Sequence, residues 1–313
     1  MTAIRVDGIT KTFGSTVALD DLAFEVERGE VYGFLGPNGA GKSTTINVLL
    51  DFVRPTAGEA EVLGLDPRED SRAIRRRTGL LPEGYETYQR LTGRQHIDFA
   101  IESKDADEDP LDVLERVGIA DAAEKKAGEY SKGMAQRLML GMALVGEPEL
   151  LILDEPSTGL DPNGAREMRE IVREERDRGA TVFFSSHVLE QVEAVCDRVG
   201  ILHDGSMVAE DSIAGLRDSI AGGATMRVRV DRPSDRAIEA VEGVDGVSDV
   251  EAYTQPEPTI VVRADGSKTD ILAAIEDSGL EVLDFSTEEA SLEDVFRAYT
   301  TDEIALEEPE VSA

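Results

Sequence analysis

The sequence predicts an α/β protein with a parallel β-sheet, followed by a second, smaller domain. Short apolar stretches typical of buried strands recur up to about residue 220, and segments with helical periodicity separate them. This pattern changes at the stretch AGGAT, residues 221–225. We therefore expect one domain over residues 1–220, a second over 221–300, and an acidic, disordered tail over 301–313.

Three regions are expected within the first domain. Alternating segments such as AIRVDGIT and LAFEVERGE predict a β-rich lobe over residues 1–35. Residues 86–146 are mostly helical in pattern and predict a helical lobe inserted into the sheet. The sequence ILHDGSMVAE predicts a hairpin that turns at Asp204 and Gly205. The strands of the parallel core are expected at 31–35, 150–153, 181–185 and 199–202.

The second domain has strand and helix patterns in the order β-α-β-β-α-β, which is typical of a ferredoxin-like fold. The segment SLEDVFRAYT predicts one further helix. None of these segments carries a chemical motif, and a fold alone does not assign a function. We interpret this domain as a regulatory or dimer-supporting appendage, and a metal- or ligand-sensing role is the less favoured alternative.

The charge of the chain is strongly acidic. Its 313 residues include 65 Asp and Glu against 32 Lys and Arg, a net charge of −33, while 41% of the residues are hydrophobic. That hydrophobic content excludes a disordered acidic chain. We expect a protein from a halophile, in which salt screens the repulsion between surface carboxylates. Nucleic acid is not expected as a partner, because no basic surface is indicated.

The single cysteine, Cys196, cannot form a disulfide within the chain, which fits a reducing compartment. It lies in an amphipathic segment and is expected to be a small buried apolar side chain. The first residues do not resemble a signal peptide, and no apolar stretch approaches the length of a membrane span. We expect a soluble chain whose role at a membrane would need a partner.

The strongest motif is FLGPNGAGKSTT, in which Gly36, Gly41, Lys42 and Ser43 have the spacing G-x-x-x-x-G-K-S. Such glycines let backbone N–H groups surround phosphate oxygens, Lys reaches the β- and γ-phosphates, and the Ser hydroxyl binds Mg²⁺. A glycine-rich turn without a ligand is the alternative, but here the motif follows a strand and opens a helix. The expected nucleotide contacts are Gly36, Pro37, Asn38, Gly39, Ala40, Gly41, Lys42, Ser43 and Thr44.

Two further segments predict polar side chains at the carboxyl ends of strands, where ligands bind in such sheets. ELLILDEP ends in Asp154, which suits a Mg²⁺ contact, and Glu155, which suits a general base. VFFSSHV places His187 at the same edge, where imidazole could donate a hydrogen bond to a γ-phosphate. A core strand ending in two solvated acids is the alternative interpretation. His96 and His203 are assigned to a helix surface and the hairpin.

A second segment, GEYSKGMAQRL, has the small residues of a phosphate site just before a helix. Ser131 could alternatively be an ordinary helix N-cap. Taken in order, these elements resemble the ATP-binding subunits of ABC transporters over residues 3–220. YSKGM then aligns with the family's signature motif, and Asp161 in STGLDP matches the loop after the catalytic glutamate. Phe13 occupies the position where the family stacks an aromatic ring on adenine.

The resemblance implies that ATP and Mg²⁺ are bound and that two subunits pair head to tail. Ser131 and Gly133 would then contact the γ-phosphate held by the other subunit. The family's signature usually reads L-S-G-G-Q, so three of its five positions differ here, although Ser131 and Gly133 are retained. Glu83 stands where the family has a Mg²⁺-contacting glutamine, and a carboxylate can also bind Mg²⁺. The same glutamate and the C-terminal SLEDVFRAYT resemble the branch of drug-resistance and copper-export ATPases.

The function implied by this resemblance is that of an ATP-hydrolysing motor for export. Glu155, Lys42 and His187 would carry the hydrolysis. The partners would be a separate integral-membrane permease and a second ATP-binding subunit, most simply an identical chain, at the cytoplasmic face of the membrane. The alternative is an ABC ATPase of translation, DNA repair or regulation. Those proteins usually fuse two such domains or insert a long coiled coil, and neither feature is found here.

Overall fold

The computed structural model describes residues 1–84, 86–219, 224–232, 234–254, 257–264, 266–288 and 291–300. The tail expected over 301–313 lies outside these described residues. The chain divides between Ser212 and Ile213 into two compact units, and each unit has its own hydrophobic core. No helix of the described segments combines the length and the apolar character that crossing a bilayer requires.

The described residues of the first unit form sixteen strands and helices together with two short 3₁₀ turns, at Ala120–Ala122 and Ala127–Glu129. In chain order they are β1 (Thr2–Phe13), β2 (Thr16–Glu27), β3 (Val31–Leu35), α1 (Lys42–Leu49), β4 (Ala57–Val62), α2 (Pro67–Arg77), β5 (Thr78–Leu81), α3 (Gly93–Lys104), α4 (Pro110–Arg116), α5 (Lys132–Leu144), β6 (Leu150–Asp154), α6 (Pro162–Asp177), β7 (Thr181–Ser186), α7 (Leu189–Glu193), β8 (Arg198–His203) and β9 (Ser206–Ser212).

The main sheet of this unit has six strands in the order β5-β6-β7-β3-β8-β9. The first five strands are parallel, and β9 pairs antiparallel with β8 through the hairpin at Asp204 and Gly205. The four core strands expected from the sequence are confirmed. Strand β5 was not predicted, because its four residues, TGLL, are too few for a periodic pattern to be visible.

A smaller antiparallel sheet, in the order β2-β1-β4, packs on the same core. The β-rich lobe expected at the start of the chain therefore exists, but β3 belongs to the main sheet and β4 completes the lobe instead. Strand β4 was not predicted, because AGEAEV combines small residues with acids and lacks a strong β pattern. Phe24 of β2 stacks on Tyr32 of β3, with ring centroids 5.8 Å apart, and this contact joins the two sheets.

The region between β5 and β6 consists of α3, α4 and α5 with the two 3₁₀ turns, as the helical pattern indicated. His96 corrects the sequence interpretation, because it is buried, with 1% of its surface exposed, and does not lie on a helix surface. Its Nδ1 lies 2.8 Å from the carbonyl oxygen of Thr92, and its Nε2 accepts a hydrogen bond from the Tyr88 backbone N–H. Each ring nitrogen thus has a backbone partner, so burial of this polar ring leaves no nitrogen without a hydrogen bond.

A buried carboxylate ties this helical region to the rest of the unit. Glu175 of α6 has no exposed surface, and it accepts hydrogen bonds from Arg116 at the end of α4 and from Arg178. A fully buried acid is costly unless it is paired, so both guanidinium groups are needed to hold it. This cluster fixes the end of α4 against α6.

The second unit contains α8 (Ile213–Ser219), β10 (Ala224–Val230), α9 (Asp235–Glu242), β11 (Val247–Tyr253), β12 (Thr259–Ala264), α10 (Lys268–Asp277), β13 (Val282–Glu288) and α11 (Leu292–Thr300). Its sheet is antiparallel, in the order β11-β12-β10-β13. Apolar side chains of β10, β12, α9 and α10 form its core, and α8 packs against α11.

Candidate active site

The loop between β3 and α1 is shaped by two glycines that no other residue could replace without strain. Gly41 has a φ of 111°, in the left-handed region, and a Cβ there would lie 2.7 Å from the carbonyl oxygen of Ala18. A Cβ on Gly36 would lie 2.6 Å from the carbonyl oxygen of Leu202. The loop between them, Pro37 to Ala40, is therefore pressed against the sheet, and α1 begins directly after it with Lys42.

The Lys42 ammonium is folded over this loop. Its Nζ donates hydrogen bonds to the carbonyl oxygens of Gly36, at 2.7 Å, and Pro37, at 3.3 Å. It also lies 3.8 Å from Oε1 of Glu155, and only 7% of its surface is exposed. A buried cation held by two carbonyls and one acid is placed to exchange these partners for phosphate oxygens.

Ser43 and Asp154 form the oxygen-rich part of the site. The Ser43 hydroxyl donates a 3.0 Å hydrogen bond to Oδ2 of Asp154, which is buried at the end of β6. Burial raises the pKa of Asp154, and the neighbouring hydroxyls of Ser185 and Ser43 oppose that rise. Among the described residues, Oδ1 of Asp154 is buried without a hydrogen-bond partner.

These oxygens fit a hard divalent cation such as Mg²⁺. Mg²⁺ prefers oxygen ligands and is usually bound by one or two protein groups together with substrate phosphates. In the part of the chain that the structure describes, no three His, Cys, Asp or Glu side chains cluster closely enough to hold a metal by themselves. A Mg²⁺ ion held by Ser43 and Asp154 would need further oxygen ligands, which the phosphates of a nucleotide would supply.

Glu155 follows Asp154 at the end of β6 and contacts groups at the carboxyl end of β7. Its backbone N–H donates to the carbonyl oxygen of Ser185, at 2.9 Å, and its Oε2 accepts a 3.2 Å hydrogen bond from Ser186. Its Oε1 lies 2.8 Å from Nδ1 of His187, whose side chain is half-exposed. Glu155 has a φ of 49°, a backbone conformation uncommon outside glycine, and its side chain is buried.

The strand order explains why these residues meet. Strands β6, β7 and β3 are adjacent and parallel, so their carboxyl ends lie at one edge of the sheet. The structure thus brings together the loop 36–43, Asp154, Glu155 and His187, which the sequence treated as separate motifs. Ser186 was missed as a partner of Glu155, although the serines of VFFSSHV were visible at that strand end.

The segment YSKGM lies at the start of α5. Ser131 is exposed and caps the helix, and its hydroxyl accepts a 3.2 Å hydrogen bond from the Met134 backbone N–H. A Cβ on Gly133 would come within 3.5 Å of the carbonyl oxygen of Gly159, so this turn of α5 packs on the loop after β6. Gln136, which the sequence did not single out, strengthens that contact by donating to the carbonyl oxygen of Pro156 at 2.9 Å.

Ser131 lines a different cavity from the one that Ser43 and Asp154 line. The cavity that Ser131 lines has a volume of about 460 Å³, and Glu83 and Glu155 line it as well. Glu83 is exposed after β5, and it also lines the cavity of Ser43 and Asp154. Glu83 thus lines both the cavity of Ser43 and Asp154 and the cavity of Ser131.

Two expected contacts lie outside this cluster. Asp161 caps α6, because its Oδ1 accepts a 2.8 Å hydrogen bond from the Gly164 backbone N–H. Phe13 ends β1 in the small sheet, with half of its surface exposed, and the Lys11 ammonium lies 4.7 Å from the centre of its ring. The ring is thus open to stacking by a planar ligand on the surface of the small sheet.

Comparison with known families supports the nucleotide chemistry. Residues 19–158 match the family model described as ABC transporter. Residues 212–300 match the model described as the C-terminal domain of DrrA1-3-like ATP-binding proteins.

Individual relatives align over most of the chain. The bacitracin transport ATP-binding protein BcrA of Bacillus licheniformis is 35% identical over 94% of this chain and 96% of its own length. The daunorubicin resistance ATP-binding protein DrrA3 of Streptomyces coeruleorubidus is 34% identical over 98% of both chains. A fluoroquinolones export ATP-binding protein of Mycobacterium tuberculosis is 39% identical over 80% of this chain and 84% of its own.

Solved structures share the fold of the first unit. One ATP-binding subunit of an ABC transporter superposes with a TM-score of 0.65 at 30% identity, covering 69% of this chain and 92% of the other. An ATP-binding cassette of an ABC transporter in its ADP conformation superposes with a TM-score of 0.59 at 26% identity, covering 68% and 91%.

Proposed function

The chain belongs to the ATP-binding subunits of ABC transporters, whose ATP hydrolysis drives transport, and we propose that it is the motor of an exporter with a separate membrane permease. The observation that carries this proposal is the meeting of Lys42, Ser43, Asp154, Glu155 and His187 at one edge of the main sheet. These are the groups that phosphoryl transfer from ATP to water needs.

In the proposed reaction, Glu155 orients a water molecule and accepts its proton. The water oxygen forms a bond to the γ-phosphorus, while the bond between that phosphorus and the oxygen of the leaving ADP breaks. Lys42 and His187 stabilise the negative charge on the transferring phosphoryl group. The N–H groups of the loop 36–43 and the start of α1 hold the β- and γ-phosphates.

Mg²⁺ bound with ATP would neutralise phosphate charge and orient the γ-phosphate. Ser43 and Asp154 are its proposed contacts, since their oxygens face each other and Oδ1 of Asp154 lacks another partner among the described residues. We also assign Glu83 to this shell, because it lines the same cavity as Ser43 and Asp154. Phe13 is the proposed platform for adenine.

We further propose that two copies of the chain pair head to tail around two ATP molecules. Ser131 and Gly133 lie at a helix start, where free N–H groups favour an anion, yet they do not line the cavity of Ser43 and Asp154. They would therefore contact the γ-phosphate in the second subunit, with Asp161 in the adjoining loop. The second unit of the chain would support this dimer.

Export, and a place at the cytoplasmic face of the membrane, follow from the relatives. The similar proteins are named for bacitracin transport, daunorubicin resistance and fluoroquinolone export. We propose the same direction of transport here, with a permease docked on the helical region between β5 and β6. An ATPase of translation or DNA repair has no counterpart among these relatives.

The test is ATP-dependent dimerisation of the Glu155→Gln variant, which should bind ATP and hydrolyse it slowly. Light scattering in molar salt should show a dimer with Mg-ATP and a monomer without it. Adding Ser131→Arg should abolish the dimer, because the larger side chain and its charge would occupy the phosphate position. Ala73→Arg, at an exposed position of α2 in the first unit, is the matched control and should leave the dimer intact. A protein that binds ATP and stays monomeric would contradict the paired arrangement.

A further inference from the structure

The two segments that would contact the nucleotide of a second subunit begin two different helices. Ser131 caps α5 and Asp161 caps α6. Both segments have to reach one nucleotide, so their separation has to be fixed. Near Ser131 the contact between them involves glycines, since even a Cβ on Gly133 would come only within 3.5 Å of the carbonyl oxygen of Gly159. A stronger attachment between α5 and α6 lies further along α5.

One guanidinium attaches α5 to two other helices. Arg137 lies in the second turn of α5, and 21% of its side chain is exposed. Its Nη1 donates a 3.1 Å hydrogen bond to the carbonyl oxygen of Val117, at the end of α4, and lies 2.6 Å from Oε2 of Glu167 in α6. The last carbonyl groups of a helix have no partner within it, so this bond satisfies one of them. A single side chain thus connects α5 with α4 and α6.

Two glycines leave room for this guanidinium. A Cβ on Gly118 would lie 2.9 Å from Nη1 of Arg137. A Cβ on Gly164, in the first turn of α6, would lie 3.1 Å from Nη2 of Arg137 and 3.0 Å from Oδ1 of Asp161. The guanidinium and the Asp161 carboxylate therefore both lie against Gly164. Arg137 thus reaches the turn of α6 that Asp161 caps.

Apolar side chains pack beside Arg137 but cannot fix the position of α5 by themselves. A narrow crevice between α5 and α6 is lined by Leu140, Leu160, Met168 and Ile171. Hydrophobic contacts have no preferred direction, so they would allow the two helices to slide against each other. A guanidinium is planar and donates in fixed directions. The directional part of this contact is therefore supplied by Arg137.

Arg137 and Arg116 attach the helical region to α6 at two separate points. Arg137 contacts Glu167, and Arg116 at the end of α4 donates to the buried Glu175. Glu167 and Glu175 are separated along the axis of α6 by about 12 Å, from the rise per residue of an α-helix. Two attachments at this separation fix the orientation of a group of helices, whereas one attachment would leave a pivot.

The contacts of Arg137 lie away from the nucleotide that its own chain would bind. Arg137 lines neither the cavity of Ser43 and Asp154 nor the cavity of Ser131. Its ion pair is partly open to solvent, because 53% of the Glu167 side chain is exposed, and such pairs add little to the stability of a fold. The geometry therefore suits placement of α5 and α6 better than it suits catalysis or stability.

We propose that Arg137 is a positioning residue that sets the separation of Ser131 and Asp161, and that it thereby acts on the ATP bound by the second subunit. Its guanidinium holds both segments in the arrangement that closes on that nucleotide. This inference rests on the proposed function, because only a head-to-tail pair gives these two segments a nucleotide to contact. What it adds is a residue outside both cavities that controls whether two subunits can pair.

The test separates ATP binding from pairing, with the Glu155→Gln variant as the parent chain. Adding Arg137→Gln should leave the affinity of the monomer for a fluorescent ATP analogue unchanged. Light scattering at saturating Mg-ATP should show the dissociation constant of the dimer raised by about tenfold or more, the effect of losing a charge-assisted hydrogen bond. The Tm of the nucleotide-free chain should stay the same. A residue that only stabilised the fold would lower Tm, ATP affinity and dimer affinity together.

The matched control is Arg173→Gln in the same parent chain. Arg173 of α6 also donates to a backbone carbonyl group of another segment, but that group belongs to Ala194 at the end of α7. This variant should keep the ATP affinity and the dimer affinity of the parent.

A second arm tests whether Arg137 acts through α6. Glu167→Gln should weaken the dimer less than Arg137→Gln does, because the bond to Val117 remains. In the variant that carries both changes, Glu167→Gln should add no further effect, since the two side chains form one contact.

The inference is overturned if the parent and the Arg137→Gln variant form dimers of equal affinity, or if ATP affinity or Tm falls together with pairing. Additive effects of Arg137→Gln and Glu167→Gln would also overturn it, because the two residues would then act separately. If the Arg137→Gln variant does not fold, a Glu167→Gln dimer as tight as that of the parent overturns it. A parent chain that binds ATP and stays monomeric would contradict the paired arrangement itself and the inference with it, whereas failure of the inference alone leaves the parent dimer intact.

Discussion

Ser43 and Asp154 lie 111 positions apart in the chain and share a hydrogen bond of 3.0 Å. Ser43 lies in the first turn of α1, after the phosphate loop, and Asp154 ends β6, which is two places from β3 in the sheet. The bond holds one carboxylate oxygen, while the other has no partner among the described residues. This carboxylate is thus oriented for a ligand at the expense of the stability of the ligand-free chain.

Asp154→Asn should stabilise the nucleotide-free chain and remove its Mg²⁺-dependent ATP binding. Burial raises the pKa of Asp154 above that of the unfolded chain, so ionisation of this carboxyl opposes folding. The wild-type chain should therefore lose stability as the pH rises from the unfolded value, about 4, through the raised folded value. Thermal unfolding across that pH range should give the variant a higher Tm than the wild type, and the difference in Tm should increase with pH. Equal Tm values at every pH would contradict this explanation.

Glu155→Gln should preserve ATP binding and slow hydrolysis by roughly 10²–10⁴-fold, the usual contribution of a general base. The amide is nearly isosteric and can still meet Ser186, but it cannot accept a proton from water. Phosphate release gives the rate, and a fluorescent ATP analogue gives the affinity. Glu190→Gln, at an exposed glutamate of α7, is the control and should keep the wild-type rate. Normal turnover by the Glu155→Gln variant would show that Glu155 is not the general base.

Gly41→Ala should abolish ATP binding and destabilise the chain by about 1–3 kcal/mol, the usual cost of a strained backbone position. The new Cβ would meet the carbonyl oxygen of Ala18 at 2.7 Å and would also disfavour the φ of 111°. Gly14→Ala is the matched comparison, since Gly14 has a positive φ of 60° but nothing within 4 Å of a new Cβ. Urea unfolding and nucleotide titration of both variants measure the difference. Equal losses would mean that the close contact is unimportant.

Glu175→Gln should destabilise the first unit by roughly 2–4 kcal/mol, because it removes the charge that balances Arg116 and Arg178. Glu174→Gln should destabilise the unit by less than about 1 kcal/mol, because Glu174 is 64% exposed and its ion pair with Arg116 is long, at 3.8 Å. The free energy of unfolding in urea distinguishes the two variants. A small effect at both positions would show that the buried carboxylate does not hold α4 against α6.

Raising the KCl concentration should raise the Tm of the chain by several degrees. The net charge of −33 creates self-repulsion, and the distance over which charges interact falls from about 10 Å at 0.1 M salt to about 3 Å at 1 M. Differential scanning calorimetry at increasing KCl concentrations measures the shift in Tm. KCl is chosen because its ions are only weakly excluded from protein surfaces. A Tm that does not depend on KCl would contradict adaptation to high salt.

Local motifs were readable from the sequence, whereas contacts between distant segments were not. The spacing of Gly36, Gly41, Lys42 and Ser43 is a property of one short loop, so the sequence alone identified it. The contact of Glu155 with His187 depends on β6 and β7 being neighbours, which no spacing along the chain specifies. Its hydrogen bond from Ser186 was missed for the same reason.

His96 shows a second limit of sequence reasoning. A polar ring on a helix is usually solvated, and the helical periodicity around His96 did not indicate that this ring is buried. The Tyr88 N–H that bonds to it comes from a non-helical segment before α3, whose path no periodicity predicts. Strands β4 and β5 were not predicted because their own sequences have only a weak strand pattern. They form by pairing with β1 and β6, respectively.

The strand order also sets when a newly made chain can first bind ATP. The phosphate loop leaves the ribosome early, but β3 lies between β7 and β8, so its neighbours are synthesised much later. At typical rates of synthesis, the 111 positions between Ser43 and Asp154 take on the order of ten seconds. During that interval the loop lacks the edge of the sheet that holds it. Nucleotide binding therefore reports that the main sheet is complete, and a fragment that stops before β7 should fail to bind ATP even though it contains the entire glycine-rich motif.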